Sequence, residues 1–394
     1  MKKTSMLWCA MFVLSIVLLS SAGAQETPQK FTLWSSVDVQ FYGFIKLDAA
    51  YDTERTSPGN FYQWVESDSS RQNDDQFNMT ANQTRLGFNF TGPTGGAVNT
   101  TGKVEVDFYG YGVAENKSGL LLRHAYLQFS YPEDDFSILA GQASDVISPL
   151  MPSTINYAVG WWVGNPGYRR PQIRLTKGFD LSNETRLEAI GAVTRTIGDS
   201  TSNFDPGDAG EDAGIPTFQA RIGLTFPLFG DKKTAFGVSG HWGKEEYDTD
   251  ALGHHDDFDS WSLNADLVQP VNDWLAFQGE VFIGENLQTY LAGIGQGINV
   301  AESDEISASG GWITANLTPI QDWVFAIGAM MDDVDACDVG IGDRTLNNAI
   351  FANALYAINA KTQVGVEVTK LHTERRREGG SDSIRTQLAF IYKF

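Results

Sequence analysis

Ile384-Arg385-Thr386-Gln387-Leu388-Ala389-Phe390-Ile391-Tyr392-Lys393-Phe394 is the stretch that decides the fold. Apart from Thr386, every second residue is apolar or aromatic, and Arg385, Gln387 and Lys393 fall between them. Alternation of period two means a β-strand with one oily face and one mostly polar face. A soluble sandwich would pack the oily face on another sheet, and nothing in such a fold asks for an exposed Phe at position 394. A transmembrane barrel strand keeps the same alternation over roughly ten residues, with lipid outside and water inside.

The pattern recurs along the chain. Val37, Val39, Phe41, Gly43, Ile45, Leu47 and Tyr51 alternate with Asp38, Gln40, Tyr42, Lys46 and Asp48. Further strands are read around Leu86–Phe90, Val104–Phe108, Ala125–Tyr131, Phe136–Ala140, Ile173–Leu175, Leu187–Val193, Phe218–Phe226 and Phe236–Trp242. They continue at Trp261–Leu267, Leu275–Ile283, Ile313–Leu317, Phe325–Met331, Ile350–Tyr356 and Val364–Val368, about sixteen with the last. Arg123 shares the lipid-facing parity of Ala125, Leu127 and Phe129, which at the midplane would cost roughly 2–4 kcal/mol. It is expected at the rim or beyond a bulge.

Connections give the orientation. Tight turns at Pro132-Glu133-Asp134, Phe229-Gly230-Asp231, Val271-Asn272-Asp273, Ile320-Gln321-Asp322 and Asn359-Ala360-Lys361 alternate with longer, mostly acidic stretches. Those stretches are Ile197–Ile215, Glu245–Asp257, Glu285–Glu305 and Asp332–Arg344. Short turns at one end and long loops at the other are the outer-membrane pattern. Trp274 and Trp323, each after an Asp at a short turn, belong in an aromatic girdle. The carboxy-terminal strand resembles the Phe-ending signature of bacterial outer-membrane barrels, which implies recognition by the barrel-insertion machinery.

Composition agrees. Residues 1–24 read as a secretory signal: Lys2 and Lys3, an apolar run from Met6 to Leu19, then Ala22-Gly23-Ala24. Residues 25–36 form a short periplasmic lead, and residues 37–394 the barrel. With Cys9 in the signal, Cys337 stands alone and no intramolecular disulfide is available. A net charge of −21 excludes a nucleic-acid partner and fits acidic external loops. Divalent cations could bridge those loops to lipopolysaccharide phosphates.

Closure of the sheet demands that the first strand pair with the last, and at this strand count the barrel keeps an aqueous lumen. Inward parity falls on Lys46, Asp48, Arg85, Glu105, Asp107, Arg174, Arg221, Asp266 and Glu280, more charges than a dry core tolerates.

Tyr42-Gly43-Phe44-Ile45-Lys46-Leu47-Asp48, Thr84-Arg85-Leu86-Gly87-Phe88 and Tyr168-Arg169-Arg170-Pro171-Gln172-Ile173-Arg174 resemble the DcaP-like porins of Gram-negative bacteria. That resemblance implies a sixteen-stranded, usually trimeric outer-membrane porin for small, often anionic, organic solutes. The helical amino-terminal extension that helps some members trimerise has no room in residues 25–36, so a homotrimer here rests on barrel–barrel contacts.

The irregular stretch 142–168 follows the fifth strand, where porins fold their third loop into the lumen. Trp161, Trp162, Pro149, Pro152 and Pro166 give it bulk, and Asp145 is its only acid. Arg169, Arg170 and Arg174 follow it directly. With Arg85, Arg221 and Lys46 they are expected to make a basic constriction, since arginine forks suit carboxylates and charged rings set selectivity. Glu105, Asp107, Asp266 and Glu280 are expected on the opposing wall; were they to reach the arginines, the cluster would be an ion-pair network.

Two other classes compete. A barrel enzyme of lipase or protease type needs a nucleophile, a base and an orienting group. His124 and His241 are inward by parity, but no Ser-containing nucleophile motif stands beside either. His254-His255-Asp256-Asp257 lacks helical zinc spacing and reads as a solvated loop; Arg375-Arg376-Arg377 reads as a basic loop tip that could touch lipid phosphates or draw in anions, the alternative being a solvated loop. Asp332, Asp333, Asp335 and Asp338 lack the Gly and distal Glu of a calcium loop. No cofactor or metal is expected. An adhesin or phage receptor acting through its loops is compatible with a channel.

Overall fold

A computed structural model of the chain describes residues 30–33, 37–69, 74–93, 96–110, 118–198, 209–250 and 252–394. The signal segment 1–24 lies outside the described residues. Sixteen antiparallel strands close a ring. In chain order they begin β1 Val37–Asp52, β2 (two halves, Gln76–Thr80 and Arg85–Thr91), β3 Asn99–Asp107, β4 Leu121–Tyr131 and β5 Phe136–Ser144. Next come β6 Arg169–Asp180, β7 Arg186–Thr194, β8 Thr217–Phe229, β9 Lys232–Asp248, β10 His255–Pro270 and β11 Leu275–Glu285. The ring ends with β12 Ser307–Leu317, β13 Trp323–Val334, β14 Arg344–Ala357, β15 Thr362–Arg375 and β16 Gly379–Lys393.

The seam is where expected. Phe44–Asp52 of β1 pair with Lys393–Arg385 of β16, and the other edge of β1 pairs with β2. Gly43 N–H donates to the Phe394 carbonyl at 3.2 Å, and Phe394 N–H returns a bond of 3.1 Å. A Cβ on Gly43 would lie 2.2 Å from the Arg85 carbonyl oxygen, so only glycine lets β1 approach β2 so closely beside the seam. Within the lead, Lys30–Leu33 form one extra strand against Val37–Gln40.

Removing Phe394 deletes both seam bonds and the ring that meets Phe41 at 5.1 Å. Each backbone bond contributes roughly 1 kcal/mol net, and it closes an edge that lipid cannot satisfy. The shortened protein is expected to refold into detergent with a much smaller heat-modifiable fraction on gel electrophoresis.

Alternation sorts the faces. Ile313, Ile327 and Ile350 point outward and are 56%, 57% and 61% exposed on the isolated barrel, while the adjacent Thr314, Ala326 and Ala349 are buried inward. Aromatic residues collect at both rims. Trp323 stacks on Phe325 and meets Tyr356 at one end, and Phe218 stacks on Trp242 at the other.

Some expected boundaries move. Glu245–Asp257 is not a long loop: β9 runs to Asp248 and β10 resumes at His255. Asp332 and Asp333 belong to β13. The irregular stretch begins at 145 and runs to 168, since residues 142–144 still pair with β6.

The larger departure concerns the lumen. Three connections fold inward: residues 53–69, 145–168 and 286–306. Tyr62, Val65 and Val163 pack with the wall residues Trp312, Met330, Phe351 and Leu371. Phe61, Tyr157, Ala158 and Trp161 form a second cluster with Tyr109. Leu287, Ala292 and Ile294 meet Phe282, Val334 and Val339 in a third. Among the described residues no separate plug domain exists, yet the apolar clusters lie inside the barrel, against β11–β15 and at Tyr109 just after β3.

Candidate pore constriction

Loop 145–168 hangs on inward side chains. Val146 N–H donates to Gln219, Leu150 N–H to Glu280 at 2.7 Å, and Ile155 N–H to Glu367 at 2.6 Å. Thr154 Oγ1 adds a second bond to Glu367, and Lys46 Nζ donates to the Ile155 carbonyl. The loop thus follows the wall from β8 round to β1, and its aromatic body reaches Asp107 on β3 through Tyr157. Burial raises the Tyr157 phenol above its ordinary pKa and pushes that of Tyr290 up to about 12. Both stay neutral and add no charge to the lumen.

Several expected pore residues are fasteners of this loop. Lys46 is buried and pairs with Asp48 at 3.1 Å. Asp145 and Arg170 form a buried pair at 2.9 Å, and Arg170 lies 3.9 Å from the centre of the Tyr290 ring, clamping one inward loop to another. Glu280 accepts from Leu150 and from Trp312 Nε1, so it faces the loop and not an open wall.

The acids expected opposite stand beside the cations. Arg221 makes two bonds to Asp266, 2.9 and 2.6 Å. Glu105 is a hub for Arg123 at 2.9 Å, Lys103 at 3.4 Å, Arg85 at 3.6 Å and the Tyr42 hydroxyl at 2.7 Å. Arg123 also holds Asp107 at 2.7 Å. Its lipid-facing parity is resolved by a bulge: Glu105 pairs with His124 and Val106 with Leu122, so Arg123 is the extra residue, turned inward and buried. Parity alone could not assign Arg123 to the site; the cost of leaving it in lipid was the available signal.

Arg85, Lys103 and Arg123 therefore surround Glu105, Arg123 also holding Asp107, and with Arg169 nearby four cations stand near two acids. Arg85 and Lys103 are partly open, at 22% and 25% side-chain exposure. Arg174 is half-buried, its Nε on Gln172 and its Nη2 on the Ser144 carbonyl.

Arg169 is different. It is buried between Tyr168, 4.7 Å from its guanidinium carbon, and Trp161 at 5.5 Å, yet Nε and Nη2 have no hydrogen-bond partner. It lines a cleft with Asn165, Tyr168 and Ser144. Among the described residues no carboxylate pairs with it. Arg85 Nε and His124 Nδ1, both within electrostatic reach of Arg169, are also unpartnered.

Other motifs are absorbed into structure. His241 has two serines that sequence spacing hid: Ser262 Oγ at 2.7 Å and Ser260 Oγ at 3.0 Å, both across the ladder. Its ring is buried, stacks on Tyr290 at 3.9 Å, and has both nitrogens engaged with no carboxylate to orient it. No exposed nucleophile results. Arg375 and Arg376 are not a free basic tip; they donate to the carbonyls of Val65 and Val339. Asp332 is buried and accepts from Ile294, while Asp338 accepts from Ser307, so the acidic run is dispersed. Cys337 is exposed and unpaired.

Residues 18–188 match the family described as DcaP outer membrane protein. No curated protein matches the chain in sequence. Among solved structures, the outer membrane channel DcaP of Acinetobacter baumannii aligns with a TM-score of 0.74 at 20% identity, over 92% of this chain and 99% of that one. An anion-selective porin from Comamonas acidovorans aligns at 0.57 and 12% identity, over 91% and 100%. Outer-membrane expressed OmpT of Vibrio cholerae aligns at 0.55 and 10%, over 93% and 100%. Over residues 18–188 the sequence resembles the DcaP outer membrane protein family, and the described fold is the closed antiparallel barrel of those outer-membrane channels.

Proposed function

We propose that the protein is a porin for passive diffusion of small hydrophilic solutes that favours anionic organic compounds such as carboxylates. The observation that carries this reading is Arg169, a buried guanidinium with two unpartnered N–H groups and no acid to neutralise it. An uncompensated buried charge is costly, and an arriving carboxylate would accept both donors as a fork accepts an acid. Arg85 and Lys103, open to the lumen, would pass such a solute toward it. The anion-selective porin from Comamonas acidovorans shares the fold, which supports the sign of the preference.

On the same reading the protein works as a homotrimer, as the trimer form of OmpT illustrates for this architecture. Its partners are outer-membrane lipid and lipopolysaccharide, with the insertion machinery reading Ile384–Phe394. Swelling of liposomes carrying the protein tests the preference. A small monocarboxylate should enter several-fold faster than a cationic amine of equal size; equal rates or a faster amine would refute it.

A further inference from the structure

We propose that the outward face of the β9–β10 hairpin carries a divalent transition-metal site, of the zinc class, ligated by Glu246, His255 and Asp257. The ladder brings them together. Glu246 pairs directly with Asp257, and Asp248 with His255, so all four side chains share one face of the ribbon. The donor atoms of Glu246, His255 and Asp257 lie within 4.8 Å of one another. His255 Nδ1 is 3.1 Å from Glu246 Oε1.

Charge gives the cluster a need for a cation. Two carboxylates placed directly across a strand pair repel, and Lys244, 3.7 Å from Asp257, is the nearby lysine. An imidazole with two carboxylates matches the mixed nitrogen and oxygen set that zinc accepts at about 2.0–2.2 Å, whereas calcium and magnesium favour oxygen alone. Small rotations of three half-exposed side chains would bring the donors to that distance.

Placement argues independently for a supply of ions. Trp242 and Trp261 pair on the same face, nearer the membrane, and Trp242 is stacked in the aromatic rim. The cluster therefore stands just beyond the aromatic rim, at the membrane surface, where anionic headgroups concentrate cations. The neighbouring His254 is engaged elsewhere, with Nδ1 2.6 Å from Asp250. His372, at the same end of the barrel, has both ring nitrogens taken by Asp382 and Glu374 and a lysine at its acid. Only the β9–β10 cluster offers a convergent set among the described residues.

The test is calorimetric titration of the full-length refolded barrel in nonionic detergent with zinc chloride and, separately, calcium chloride. Heat-modifiable mobility confirms folding of every variant, whose changes lie beyond the membrane. One zinc per chain is expected, with affinity falling at least about tenfold in His255→Ala and in Asp257→Asn. His254→Ala should bind as the parent does, and calcium should give no saturable heat at equal concentration. No zinc binding, binding unchanged in His255→Ala, equal loss in His254→Ala, or calcium binding as tight as zinc would each overturn the assignment.

Discussion

Arg169→Ala is expected to raise the concentration of a small carboxylate that half-blocks the single-channel current about tenfold. The reason is that, among the described residues, Arg169 alone is a buried guanidinium with two unpartnered N–H groups. Arg221 is tied to Asp266, Arg170 to Asp145, and Arg123 to both Glu105 and Asp107. A carboxylate about 4 Å from a guanidinium gains up to about 4 kcal/mol at an effective dielectric of 20. Desolvation and pore water remove most of this, and a remaining 1.4 kcal/mol or so is the tenfold stated. Arg169→Lys should recover part of the block, because it restores the charge without the fork. Unchanged block in Arg169→Ala, in protein shown to be folded, would remove Arg169 from the solute path.

Glu367→Ala is the second large effect, and it acts on the shape of the pore. Glu367 sits on β15, buried, and accepts from Thr154 Oγ1, Ile155 N–H and Asn353 Nδ2. Two of those bonds hold the inward loop. Hydrogen bonds to a charged group contribute roughly 1.5–3 kcal/mol each, so the loop loses an anchor of about 3–6 kcal/mol. Glu280 and Lys46 hold it further along at Leu150 and the Ile155 carbonyl, so the barrel itself should persist. The expected record is a conductance increased by about twofold with added millisecond noise, and a weaker carboxylate block. A quiet, unchanged conductance would mean the loop is held by its aromatic cluster alone.

The strands were legible because a barrel spanning lipid must declare its outer face residue by residue. Ile384, Leu388, Phe390 and Tyr392 alternate for that reason, and the seam of β16 on β1 follows from closure. The inward faces were legible only as parity. Parity says that Glu280 and Lys46 point inward, but not that a loop waits there to meet them, so parity cannot separate a fastener from pore wall. The inward folds of 53–69 and 286–306 had a signal that acidic composition obscured: Phe61, Tyr62, Trp64, Tyr290 and Ile294 are too apolar for solvated loops. Arg123 needed a bulge, which shifts parity by one residue and leaves no mark in the alternation. His241 with Ser262 shows the same blindness from another side, since cross-strand neighbours are far apart in sequence.

A net basic constriction inside an acidic protein is tested most directly by the reversal potential of the purified barrel in a planar bilayer under a salt gradient. The sign of anion preference is expected, set by Arg85, Lys103, Arg123 and Arg169 against Glu105 and Asp107. A potential of the cation sign would contradict it and place the governing field with the acidic loops at the mouth.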